Sequence, residues 1–304
     1  MDRAPRLSRH DRPSRAHLVV VVIAALLVAG GGVALLLGYR AERESGAGSP
    51  SEPPAGASVD PRDPSLSLTV DAARKARAAQ ITSTFENSTL DLQYGFAENI
   101  GDGRGITAGR AGFTSGTGDL LLVVRRYADL KPGNVLAKYI PALEEVDGSD
   151  SMAGLDGFAA AWGQAAKDPA QRRLQDEVVD ELYFRPAMQM ADELGIRTPL
   201  GQAILWDTMI QHGSGGANGT QAIIRDTLDD VGPVDDDEAA WLDAFLDARL
   251  HHLDHAYQDA ETDADASSQS RIDALRSLLD SGNLAMNLPM EWDVYGTTFR
   301  LPED

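Results

Sequence analysis

The chain predicts a mainly helical domain held behind an apolar N-terminal segment. Three observations carry this expectation. Apolar residues recur at helical spacing through most of the stretch from Val70 to Asp280. No strand-like runs alternate with those helices, which argues against a parallel α/β sheet. Ahead of them, Leu18 to Gly38 is a run of 21 residues without a charge.

Residues 1–17 hold Arg3, Arg6, Arg9, Arg12 and Arg15. As a helix, residues 18–38 would span about 31 Å, enough for a hydrocarbon core of about 30 Å. The basic flank assigns 1–17 to the cytoplasm and the rest of the chain to the outer face of the membrane. A cleaved signal peptide is the alternative and would leave a secreted protein. Such peptides have apolar cores of about 7–15 residues, and no small-x-small site follows Leu37, which favours an uncleaved transmembrane anchor. Residues 39–64 include Pro50, Pro53, Pro54, Pro61 and Pro64 among Ser, Gly and Ala, the composition of a linker. Residues 65–304 remain for one folded domain, ample for a sizeable core or two lobes around a cleft.

Within that domain the spacing predicts a helix over Val70–Phe85 and a short hairpin over the glycine-rich Gly105–Phe113. Further helices are expected at Thr117–Leu130 with Thr117 as N-cap, Asn134–Val146, Gly154–Lys167 and Pro169–Leu194. The pattern continues over Pro199–His212, Gly219–Val231, Asp236–Asp259 and Ser270–Asp280, with an irregular tail from Gly282.

The formal charge is −20; residues 1–40 carry +4, so the remainder carries −24. Such a surface repels nucleic acid and attracts polycations. The chain has no cysteine, which excludes disulfides, thiol catalysis and cysteine metal sites.

Three charges stand on apolar stripes: Asp207 four after Ala203, Arg249 seven after Leu242, and Arg271 at the edge of the Ile272–Leu275–Leu279 face. A lone buried charge is costly, so one Asp with two Arg forms a self-consistent set, either as a structural ion pair or as part of a site. Glu86 follows a helical pattern, and Asp102 lies in the glycine-rich Gly101–Gly105 turn, with Thr107 close behind. Two carboxylates on separate elements, one with a hydroxyl beside it, suit acid/base hydrolysis of a glycosidic bond.

The blocks FENSTLD, NIGDGRGIT, GFTSGTGDLL, PGNVLAKY and GQAILWDTMIQHG follow one another between Ala72 and Trp292. In content and order they resemble the family 46 chitosanases, lysozyme-like glycoside hydrolases that cut polyglucosamine. The resemblance implies a two-lobed, mainly α fold with a small β-hairpin region at the cleft. It implies endo-hydrolysis of β-1,4 glucosamine links with inversion and no cofactor or metal. By the same resemblance Glu86 is the general acid, Asp102 the general base, and Thr107 helps hold the attacking water. Asp207, Arg249 and Arg271 become the supporting network behind the acid. Ser88, Glu98, Arg104, Asp119 and Tyr183 become the residues that bind a cationic polysaccharide. Asp119 has a competing role at a helix start, where acids favour the dipole. A further cleft aspartate falls on Asp263 or Asp265. Between Glu86 and Asp102 the chain is two residues shorter than the family pattern.

Other motifs point elsewhere and weakly. His251, Asp254 and His255 have metal-compatible spacing but lack an HExxH frame, and no strand precedes Gly101-x-Gly103-x-Gly105 as a dinucleotide loop needs. Asp235–Glu238 is expected to cap the helix that follows. Two rival functions remain at this level: a lysozyme-like hydrolase of peptidoglycan, and an inactive membrane-tethered glycan-binding module. A monomer is expected.

Overall fold

A computed structural model describes residues 60–101, 103–257 and 264–303 of the chain. The expected cytoplasmic segment, the membrane span 18–38 and most of the linker lie outside the described residues, as do Asp102 and Asp263. Among the described residues no helix is long and apolar enough to cross a membrane.

Helix α1 runs over Ala72–Asn87, begun by Asp71, whose side chain accepts from the Ala73 and Arg74 amides. It ends two residues later than expected. Ser88 takes the left-handed conformation (φ 51°), and its amide still donates to the Thr84 carbonyl, so Glu86 sits inside the last turn rather than beyond it. The expected hairpin is the inner part of a three-stranded antiparallel sheet: β1 Ala97–Glu98, β2 Thr107–Ala108 and β3 Phe113–Thr114, with Glu98 opposite Thr107.

Helix α2 spans Asp119–Leu130, and its N-cap is Gly118 (φ 79°) rather than Thr117. Thr117 Oγ1 instead bonds Asp119 Oδ1 at 2.8 Å. A short 3₁₀ turn at Ala137–Tyr139 leads into α3, Ile140–Val146, and α4 follows at Phe158–Ala165. The single helix expected over Pro169–Leu194 is α5, Pro169–Val179, a π-helical turn at Asp180–Phe184, and α6, Arg185–Leu194. Pro186 accounts for the break: it lacks an N–H and its ring would strike the carbonyl four residues back, which the wider turn relieves.

Helix α7 runs over Pro199–His212, α8 over Thr220–Val231, α9 over Glu238–Tyr257 and α10 over Ala264–Asp280. Asp237 caps the start of α9 by accepting from the Ala240 amide. Glu238, by contrast, is buried and turned onto α7, accepting from the Arg197 and Thr198 amides and from Thr198 Oγ1. The tail is not irregular. It forms a hairpin, β4 Met290–Val294 and β5 Thr297–Leu301, with Met290, Trp292 and Val294 buried in alternation. That alternation was visible in the sequence as a period of two, and five residues were too few to stand out.

Packing divides the elements into two sets. α2 packs on α3, α5 and β3, and α4 packs on β1; α7 gathers α1, α6, α8 and α9, with α10 against α9 and β4. The α5–π turn–α6 run passes from one set to the other. α7 is the central element, buried along nearly its whole length.

Candidate active site

The polar centre is built where α1, α7, α9 and α10 meet. Asp207 is on α7 and accepts four hydrogen bonds: Arg271 Nη2 at 2.8 Å, Arg271 Nε at 3.1 Å, Arg249 Nη2 at 2.9 Å and Thr82 Oγ1 at 2.9 Å. Arg271 also donates through Nη1 to Glu86 Oε1 at 2.6 Å. Its guanidinium lies over the Phe85 ring, 5.1 Å from the centroid. Glu86, Asp207, Arg249 and Arg271 are all buried. The three charges placed on apolar stripes thus converge on one carboxylate, and Glu86 joins them.

The electrostatics follow from burial and pairing. Burial pushes the Asp207 carboxyl up, but Arg271 and Arg249 outweigh it and hold the group down to about 2. Burial lowers Arg249 to about 10, with Asp207 opposing the loss. Arg271 moves the other way: Asp207 and Glu86 together outweigh its burial and raise it above its ordinary value. With Glu86 ionised the four groups are formally neutral.

Two members of this centre were not singled out in the sequence. Thr82 precedes Glu86 by one helical turn and Gln211 follows Asp207 by one, accepting from Arg249 Nη2 at 2.5 Å. The i, i+4 spacing from a charged residue was the available signal. His212, beside Gln211, is buried, and its Nδ1 faces the Asn218 carbonyl at 2.8 Å, so that nitrogen carries the proton. Burial lowers His212 well below its ordinary value, and Arg249 adds to the effect.

A second cluster surrounds the sheet. Thr107 is on β2 and fully buried, and its Oγ1 has no hydrogen-bond partner among the described residues. A buried hydroxyl left so costs about 1–3 kcal/mol unless water satisfies it. Arg104 is buried in the preceding turn. Asp119 Oδ1 accepts from the Thr114 and Leu120 amides and from Thr117 Oγ1, so the expected structural role at the start of α2 is real. Burial raises Asp119 despite these bonds and the nearby Arg104. Tyr183 is carried by the π-helical turn and bonds Asp119. Burial raises its phenol, with Asp119 and Glu86 adding to the rise and Arg104 opposing it. Single-turn π-bulges recur at functional sites, and here the turn aims Tyr183 at this cluster.

The remaining expected residues are placed as follows. Ser88 caps α1 two residues beyond Glu86, and Glu98 is exposed on β1, opposite Thr107. Asp102 lies outside the described residues, and Asp265 lies on α10 with its side chain undescribed. His252, not among the expected residues, bonds Asp226 Oδ2 at 2.9 Å and Asn218 Oδ1 at 3.0 Å.

Comparison with known proteins places this geometry. The profile of Glycosyl hydrolase family 46 matches residues 80–290. A chitosanase of Bacillus subtilis (strain 168) is 43% identical over 223 residues, covering 71% of this chain and 80% of the relative. Among solved structures, the complex of a GH46 chitosanase from Gynuella sunshinyii with chitotetraose superposes with a TM-score of 0.71 at 42% identity, covering 77% of this chain and 99% of that one. A native chitosanase from Bacillus subtilis superposes with a TM-score of 0.69 at 40% identity, covering 75% and 98%. The match over residues 80–290, with relatives 40–43% identical and covered over 80% or more of their length, makes the conclusion direct: the chain belongs to glycosyl hydrolase family 46.

Proposed function

We propose that this chain is an endo-acting, inverting chitosanase that cleaves β-1,4 links between glucosamine units. Glu86 protonates the leaving glycosidic oxygen while Asp102 takes a proton from water, which attacks the anomeric carbon from the opposite face. Thr107 holds that water, and its buried hydroxyl, without a hydrogen-bond partner among the described residues, supports the assignment. The single observation that carries the reading is the buried Glu86–Arg271–Asp207–Arg249 chain, in a domain whose relatives are chitosanases. Asp207 binds Arg271 twice, so the guanidinium beside Glu86 is already compensated. Glu86 then carries the proton to be donated at a cost of only one net positive charge across the four groups.

Substrate ammonium groups are bound by Glu98 and Asp119, with Ser88, Arg104 and Tyr183 completing a cleft between two lobes. The −24 charge outside residues 1–40 draws the cationic polymer toward that cleft. The enzyme acts as a monomer on the outer side of the membrane, anchored through residues 18–38.

The test is release of reducing ends from a glucosamine oligomer, with peptidoglycan and highly acetylated polymer as comparison substrates. Glu86→Gln is expected to abolish turnover while leaving the fold and oligomer binding intact. Wild-type turnover by this variant, or preference for peptidoglycan, overturns the reading.

A further inference from the structure

The C-terminal hairpin reaches the helices that carry the centre through Trp292 and, nearest to Glu86 and Arg271, through Tyr295. That tyrosine lies at the tip between β4 and β5, where Val294 pairs with Thr297 and only Tyr295 and Gly296 form the loop. Both have positive φ, 53° and 73°. A two-residue loop of this kind favours Asn-Gly or Asp-Gly, because both positions need positive φ, which Gly adopts freely and Asn and Asp tolerate better than other side chains. An aromatic residue held in the left-handed region costs on the order of 1–3 kcal/mol, and such outliers cluster at functional sites.

The contacts of Tyr295 give that strain a purpose. Its hydroxyl donates to the Phe85 carbonyl at 3.0 Å, one residue before Glu86. Its own amide donates to Ser270 Oγ at 2.8 Å, one residue before Arg271. Three residues earlier in the hairpin, Trp292 Nε1 donates to Thr84 Oγ1 at 3.0 Å. The hairpin therefore grips the end of α1 at Thr84 and Phe85 and the α10 helix at Ser270. The residues next in line, Glu86 and Arg271, make the 2.6 Å contact.

We infer that Tyr295 is a positioning residue: it clasps the backbones that carry Glu86 and Arg271 and sets the distance between them. The inference rests on Glu86 being the general acid. The charged groups around the phenol are Arg271, Glu86, Asp207 and Arg249. Burial, aided by Glu86 and Asp207, raises the phenol to about 12, so it remains a hydrogen-bond donor throughout the range in which a glycosidase works. As a residue Tyr295 is 39% exposed, so it is not a core side chain.

Two substitutions separate a positioning role from a merely structural one. Tyr295→Phe keeps the ring and removes the clasp to Phe85. Tyr295→Asn installs the residue the turn itself prefers, so hairpin stability is kept while the clasp is lost. Both are expected to lower kcat about fivefold to tenfold, the size of one hydrogen bond, with KM changed less than about twofold. Thr298→Ala, which removes a bond to Asp293 on the exposed face of the same hairpin, is expected to change neither. Parent kcat in both Tyr295→Phe and Tyr295→Asn, or a loss that falls on KM and leaves kcat unchanged, overturns the inference. If Glu86→Gln is inactive in the same assays, that result sinks the clasp alone; if Glu86→Gln retains turnover, it is the acid assignment that fails.

Discussion

Asp207→Asn is the most direct probe of the buried centre. The carboxylate accepts four hydrogen bonds and answers two buried guanidinium groups, with Glu86 as the other anion in contact. Its shift from 3.8 to about 2 converts, at about 1.4 kcal/mol per unit, to about 2–3 kcal/mol of stability supplied by the ionised form. Breaking a buried ion pair by removing one partner costs about 3–5 kcal/mol, because the other charge is left uncompensated. The two routes bracket a loss of about 2–5 kcal/mol, or roughly 5–20 °C in the melting temperature for a domain of this size. Because the folded value is depressed, this stability is present above pH 3.8 and is lost as pH falls toward 2. Thermal unfolding of the variant and parent at pH 7 and at pH 3, followed by circular dichroism, measures both effects. The difference between the two proteins should be largest at pH 7 and should shrink at pH 3. A variant within about 1 kcal/mol of the parent at pH 7 would falsify the claim that Asp207 is the anion holding both arginines.

Two further predictions rest on separate features. His212 is neutral in the fold and lowered below 6.5, so the unfolded chain binds the extra proton; stability is complete above pH 6.5 and declines as pH drops below it, a slope that denaturant titrations should find missing in His212→Gln. Gly105→Ala places a Cβ 2.2 Å from Ser115 Oγ at a φ of +77°, which should cost roughly 2–4 kcal/mol. It should also lower kcat/KM by displacing Ser115 from the Ile106 amide and disturbing the strand that carries Thr107; an unchanged melting curve would show that the turn tolerates the side chain.

Much of the fold was readable because its signals are local. Asp71 and Thr198 cap their helices as short polar residues do, a signal that was available but not used, since the first helix was expected from Val70. Helix α7 was legible end to end, from Pro199 to the glycine that follows His212. The misses are places where a distant contact or a backbone adjustment outweighed local preference. Pro186 breaks the single helix expected over Pro169–Leu194 with a π-helical turn, and Glu238, expected to serve its own helix start, turns to the Arg197 and Thr198 amides ahead of α7. The period of two in β4 was present in the sequence, but five residues were too few to mark a strand without the packing of Trp292 against the core.

Sequence alone determined the helical class, the order of the elements, the sign of the surface and the presence of three charges that could not be left unpaired. It determined these because periodicity, caps and the cost of burying a charge act within a few residues of chain. Only the tertiary structure decided which charges meet. Glu86 and Arg271 are 185 residues apart in sequence and 2.6 Å apart in space. That contact exists because α1 and α10 pack about one centre with the C-terminal hairpin across both, an arrangement that long-range burial selects and no local pattern records.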